Sequence, residues 1–181
     1  MESVYRFPKI THVFEFRCRS CGEVHKGSPS IGYAKPAHYY SVPEAERAHR
    51  VLLTSDTCAI DNDTYFVRGV MEIPIRGVDA PFTWGLWVSL SHDSFQRYLH
   101  TFHEDQTGTV SFGWLPVTMR GYFDPTSART WDMLATDVVG RGPGNRPLIV
   151  PHKCDHPVYR DYAQGMDWDR AVAIAERALH G

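Results

Sequence analysis

The clearest pattern in the chain is a period of two. From residue 82 to 91, Phe82, Trp84, Leu86, Val88 and Leu90 alternate with Thr83, Gly85, Trp87, Ser89 and Ser91, which places one set of side chains on a single face of a β-strand. That strand is expected at the centre of a sheet. Upstream, Thr57-Cys58-Ala59-Ile60 and Thr64-Tyr65-Phe66-Val67-Arg68 flank Asp61-Asn62-Asp63, and two β-rich runs around a turn-forming triplet read as a hairpin. Residues 70–75 continue the second run, with Pro74 marking an edge or a bulge. Shorter strands are expected at 13–16, 109–115, 127–139 and 148–150, separated by Pro116 and by the glycine-rich loop 140–145.

Helical spacing occurs in three places. Ser91 and Asp93 offer a cap and a first-turn carboxylate ahead of Phe95, Tyr98, Leu99 and Phe102 at i, i+3, i+4 and i+7. A last helix begins near Asp167 and carries Trp168, Ala171, Val172, Ala175 and Leu179 on one face. A third is expected over 42–54, where Ser41 to Glu44 read as a capping box and Ala45, Ala48, Val51 and Leu52 as an apolar stripe, with Glu46 and Arg50 paired at i, i+4. Residues 26–40, dense in Gly, Pro and Ser, read as loop. Strands come in runs and do not alternate with helices, which implies an α+β fold. The expectation is one domain over 1–181 with a mostly antiparallel sheet, about three helices and an N-terminal C-x-x-C turn shaped like a zinc knuckle.

Composition narrows the function classes. A chain of 181 residues buries roughly 70% of its unfolded surface and needs no disulfide scaffold. A net charge of -2 provides no field for steering onto phosphates, so no nucleic-acid partner is expected. The first eight residues lack the pattern of a signal peptide and no 18-residue apolar run occurs, so the expected location is cytoplasmic, with no membrane contact.

The strongest local chemistry lies at residues 16–25, Phe-Arg-Cys-Arg-Ser-Cys-Gly-Glu-Val-His. Two thiolates spaced C-x-x-C on a glycine turn grip one soft or borderline metal ion. A thioredoxin-like reading needs a helix directly after the motif, and Gly22, Gly27, Ser28, Pro29 and Gly32 preclude one. A closed structural zinc site takes four N or S ligands. The preferred set is Cys18, Cys21, His25 and Cys58, with His156 or Cys154 as replacements. Cys21-Gly22-Glu23 matches half of the zinc-deaminase signature, but the later Pro-Cys-x-x-Cys half is missing. Among other polar groups, Asp155-His156-Pro157 offers an oriented imidazole, and Arg146, after its glycine-rich loop, suits a carboxylate. Trp84, Trp87 and Trp114 fit core or rim positions, with Trp87 on the face opposite Trp84 as an expected binding surface.

Several blocks in order, F-x-C-x-x-C-G-E-x-H (16–25), R-x-x-L-x-S-D-x-C-x-I-D (50–61), F-V-R-G-V (66–70), W-G-L-W-V-S-L-S (84–91), F-G-W-L (112–115) and D-H-P (155–157), resemble the bacterial family called domain of unknown function 2199. The resemblance covers roughly residues 14–178. It implies a small cytosolic bacterial protein with no assigned activity, and it supports the joint presence of Cys18, Cys21, His25 and Cys58. Its motif does not call for Cys154. With no complete catalytic set, the reading is a zinc-stabilised protein that binds a protein partner, for example a toxin neutraliser or a regulator. The alternative is a zinc enzyme on a small polar substrate with His156 or Glu23 as base.

Overall fold

A computed structural model describes residues 12–123 and 132–180. Its organising element is a long hairpin of β6 (Thr64–Ile73) and β7 (Phe82–Leu90), registered from Tyr65 opposite Leu90 to Ile73 opposite Phe82. The alternation of β7 is as expected: Phe82, Trp84, Leu86, Val88 and Leu90 all face the main core. From β7 the chain meanders through β8 (Val110–Pro116), β9 (Met133–Val139) and β10 (Leu148–Pro151), each antiparallel to the one before. β10 then returns to β6, with Leu148 opposite Val70, and closes a five-stranded barrel. An up-and-down meander with an odd number of strands can close only through a parallel pair, and β10 and β6 are parallel. Of the expected strand 127–139, residues 127–131 lie outside the described residues, and β9 is its remainder.

Both hairpin strands are longer than the barrel needs, and each is shared by two outer neighbours. β5 (Thr57–Ile60) pairs with the start of β6, and β4 (Val51–Leu53) pairs with β5. β3 (Ser30–Gly32) lies parallel to the start of β7, inside the stretch expected to be loop. The turn between β5 and β6 holds Asp61 and Asn62 at positive φ, 54° and 50°, a conformation for which these residue types are enriched.

Four α-helices occur among the described residues: α1 (Arg47–Arg50), α2 (His92–Thr101), α3 (Pro157–Gln164) and α4 (Trp168–His180). α2 starts where expected, with Ser91 Oγ accepting from the Ser94 amide at 3.3 Å, and it buries Phe95 and Tyr98 over one end of the barrel. α4 buries Ala171, Ile174, Ala175 and Ala178, while Leu179 is turned outward. The helix expected over 42–54 is largely replaced. A 3-10 turn at Glu44–Glu46 leads into the single turn α1, and Val51 and Leu52 belong to β4. The physical reason is burial: Ala45, Ala48 and Leu52 are all exposed, so the apolar stripe has nothing to cover, whereas an extended 51–53 packs Val51 and Leu53 on a second apolar cluster of Val42, Cys58, Ile60, Phe66 and Trp87. The Glu46–Arg50 pair forms at 2.6 Å, and Arg50 also forks onto both oxygens of Asp61.

Barrel closure demands close approach between β7 and β8. Gly113 faces Leu90, and a Cβ there would lie 2.6 Å from Ser89 O and 2.7 Å from Val88 Cγ2. Gly113→Ala is expected to lower unfolding stability in urea by roughly 1–3 kcal/mol. Gly142→Ala, which would meet only Asn145 Nδ2 at 3.8 Å, is expected to stay within about 0.5 kcal/mol of the parent.

Candidate metal centre

The centre is built on a small antiparallel pair, β1 (Glu15–Arg17) and β2 (Val24–Lys26), with Phe16 opposite His25. Cys18 to Glu23 form the tight connection. The Cys18 amide donates to Glu23 O at 2.8 Å, the Gly22 amide donates back to Cys18 O at 2.9 Å, and Gly22 takes φ 76°. Only glycine adopts that angle without strain. The Ser20 amide points at Cys18 Sγ from 3.4 Å, so the turn already directs donors at sulfur. Burial raises the Cys18 thiol pKa, but the Cys21 and Ser20 amides and the Cys21 side chain outweigh it and hold the thiol below its ordinary value. The thiolate is the form that ligates metal.

His25 stacks on Phe16 with ring centroids 5.2 Å apart, and its Nε2 lies 3.4 Å from Cys21 Sγ. The last turn of α4 brings His180 edge-on to His25 at 5.7 Å. One ligand atom from each of Cys18, Cys21, His25 and His180 lies within 4.8 Å of every other. Around a tetrahedral zinc, with bonds of about 2.0–2.3 Å, ligand atoms stand about 3.3–3.8 Å apart. The widest pair here therefore has to close by about 1 Å, within the reach of side-chain torsions.

Two further contacts hold the knuckle on α4. Phe14 packs on Trp168 at 4.8 Å, and Glu176 receives the Arg19 amide at 2.7 Å, Arg19 Nε at 3.0 Å and Arg19 Nη2 at 2.8 Å. The hydrogen bonds from Arg19 hold the Glu176 carboxyl below the usual carboxylate range. Glu176 and His180 are four residues apart, on one face of α4. A surface hollow of about 270 Å³ opens beside them, lined by Arg19, Ser20, Ala173, Glu176, Arg177 and His180.

Three of the four residues expected as ligands come together, and the fourth does not. Cys58 is fully buried on β5 in the second apolar cluster, where burial pushes its thiol up to about 11. Such a thiol stays protonated and behaves as a small hydrophobe. His180 is the fourth residue of the cluster, brought there by the last turn of α4. Cys154 is exposed and outside the cluster. His156 is the N-cap of α3, its Nδ1 accepting from the Val158 amide at 3.1 Å ahead of Pro157 in the first turn. Asp155-His156-Pro157 is therefore a helix start, and α3 went unforeseen because imidazole is an uncommon cap. Asp155 is exposed, 3.8 Å from Arg160.

The tryptophans divide differently from expectation. Trp84 is 0% and Trp87 4% exposed, and the Trp87 indole N–H donates to Tyr33 O at 2.9 Å. The face opposite Trp84 is covered by the second cluster, so Trp87 presents nothing to a partner. Trp114 is 45% exposed and meets Phe112, 50% exposed, edge to face at 5.3 Å.

Arg146 Nε bonds Asp56 Oδ1 at 2.6 Å. Burial works to raise the Asp56 carboxyl, but bonds from Ser55 and Arg146 outweigh it and hold it below the usual range. A depressed carboxylate stabilises the fold above its unfolded pKa of about 3.9, and that stabilisation is lost as pH falls through the lower folded value. Arg146→Gln is expected to cost at most about 1 kcal/mol at pH 7, because the pair is partly exposed. The difference from the parent should shrink when urea midpoints are followed down from pH 5 to pH 2.

Neither the curated proteins nor the solved structures include a match to this chain. One family does match, over residues 17–166, a span that includes Cys18, Cys21 and His25 and ends before His180. The chain thus belongs to the bacterial family DUF2199, described as an uncharacterized protein conserved in bacteria.

Proposed function

We propose that the protein is a binding protein whose fold is locked by one structural zinc ion on Cys18, Cys21, His25 and His180, and that it engages a protein partner through the aromatic wall of its barrel. The observation that carries the reading is the convergence of the four ligand atoms within 4.8 Å from two ends of the chain. Mixed thiolate and imidazole donors suit zinc, and four protein ligands close a tetrahedral site with no position left for a reacting water. Of the two candidate bases of the enzyme alternative, His156 and Glu23, neither belongs to the cluster of ligand atoms, and His156 has its Nδ1 engaged in capping α3 and its Nε2 3.4 Å from Asp132.

Support for the binding role lies on β8 and β9. Val110, Phe112 and Trp114 alternate outward on β8 at 45–55% exposure, and Met133, opposite Pro116, adds to them at 41%. Aromatic and methionine side chains in one exposed stripe are the enriched composition of protein interfaces.

Purified protein is expected to carry about one zinc per chain by elemental analysis. His180→Ala and Cys18→Ser should lose it, and Cys58→Ser should keep it. Retention of full zinc by His180→Ala would overturn the ligand set. Chelation with EDTA should lower the melting temperature by at least about 5 °C. A Phe112→Ser/Trp114→Ser double variant should keep that melting temperature and zinc content yet fail to capture the partner that the parent retains in a pulldown. Equal capture by both would remove the barrel wall from the proposal.

A further inference from the structure

Arg68 lies midway along β6 on the outer face of the barrel, directly opposite Trp87. Its side chain lies across the neighbouring strands. A Cβ built on Gly32 would sit 2.8 Å from its Nη2, and one built on Gly85 would sit 3.7 Å from Nη2 and 3.8 Å from Nε. Gly32 and Gly85 are register partners on β3 and β7, and neither is among the glycines at positive φ. Their missing side chains therefore serve space and not backbone conformation. Together they form a bed for the guanidinium.

Five described arginines are half-buried: Arg47, Arg50, Arg68, Arg146 and Arg170. Four of them are bonded, Arg47 to Val42 O, Arg50 to Asp61, Arg146 to Asp56 and Arg170 to Asp161. Arg68 is the exception among the described residues: its Nε is shut off from solvent and has no hydrogen-bond partner. A guanidinium carries five donors and no acceptor, and leaving them unpaired out of water is costly. Asp56, the carboxylate whose charge acts on Arg68, is already engaged by Arg146, so two cations share one anion.

A second donor points to the same place. The Thr83 amide donates to Pro29 O and the Tyr33 amide to Gly85 O, so the odd-numbered residues of this segment face β7. In a parallel ladder the intervening residue directs its N–H the other way. Among the described residues β3 has no second neighbour in the sheet, which leaves the Gly32 N–H at the sheet edge, on the residue whose Cβ position meets Arg68 Nη2. Gly32 itself is exposed, so the place is open to solvent.

We propose that Arg68, resting on Gly32 and Gly85, is the anchor of an oxyanion-binding site that takes a carboxylate or phosphate group, with the edge amide of Gly32 as a further donor. The planar fork of the guanidinium matches both groups in a two-point bond. Ser30 and Thr83 are the next register pair on the same face and offer hydroxyls to a larger ligand. Glu72, opposite Thr83 on β6, disfavours a second negative charge in that direction. The site shares no residue with the zinc ligands, and its test is independent of them.

The test is a titration of the full chain with inorganic phosphate and, separately, with acetate at matched ionic strength, followed by the amide resonance of Gly32 and the Nε–H resonance of Arg68. Saturable shifts of both are expected, and the tighter of the two probes tells whether the natural group is a phosphate or a carboxylate. Arg68→Lys keeps the charge and loses the fork, and should weaken binding about tenfold. Gly32→Ala keeps every charge and fills the bed, and should weaken it by a similar factor or more. Arg68→Gln should abolish binding with its urea midpoint unchanged or raised, since an unpaired charge has been removed. Absence of saturation with both probes, or undiminished binding in Arg68→Gln and Gly32→Ala, would overturn the site. A marked fall in the Arg68→Gln midpoint would also count against it, because it would mean that the fold itself satisfies the arginine.

Discussion

The register between β6 and β7 is the constraint on which most of the molecule depends. Running unbroken from Tyr65–Leu90 to Ile73–Phe82, it sends odd residues of β6 and even residues of β7 inward to the barrel core and the complementary set outward. A one-residue slip of β7 would turn Trp84, Leu86 and Val88 out of the barrel and bring Thr83, Gly85 and Trp87 into it. Because both strands are longer than the barrel, their outer edges are divided, β5 and β10 along β6, and β8 and β3 along β7. One hairpin thus builds the barrel, the second apolar cluster behind Phe66 and Trp87, and the glycine-floored face that carries Arg68.

The knuckle is attached to this frame by different means. A three-stranded or larger sheet stabilises its strands through neighbours, but among the described residues β1 and β2 pair only with each other, and an isolated two-stranded pair is marginal in water. What fixes them is α4: Phe14 against Trp168, the hydrogen bonds from three Arg19 donors to Glu176, and His180 beside His25. Joining residues near opposite ends of a chain closes a long loop, whose closure costs more than a short one's by a term that grows with the logarithm of its length. A metal held there stabilises more than the knuckle alone.

How far the sequence could be read follows from what kind of signal each element carries. β7, the turn at Asp61 and Asn62 and helix α2 were legible because each is a local pattern: strict alternation, turn chemistry, and a capped apolar stripe. The stretch 42–54 misled because a helical stripe is only a helix when something covers it, and the second cluster rewards Val51 and Leu53 in extended form instead. Cys58 misled for a related reason, since a thiol several elements away in sequence is indistinguishable from a ligand until its burial is known. His180 was illegible because its role depends on the docking of α4 against the knuckle, a contact between the two ends of the chain with no local trace. Trp87 shows the limit of alternation, which tells that two faces differ without telling that both are covered.

Arg68 and Trp87 form a cross-strand pair with opposite fates, and the contrast sets the energetics of the outer face. The Trp87 indole is buried and its one donor is satisfied by Tyr33 O, so it strengthens the second cluster without a polar penalty. Arg68, on the same face, brings a charge into a half-buried bed, where any straight apolar side chain of similar length would cover the same glycines with no desolvation loss. The bed is specific as well: Gly32 and Gly85 are weaker strand formers than the β-branched residues that would otherwise fit. Three positions on three adjacent strands therefore each forgo stability, and they do so at one point. Concessions concentrated at one solvent-open place are how folds accommodate a ligand, and the donors gathered there select one that brings negative charge.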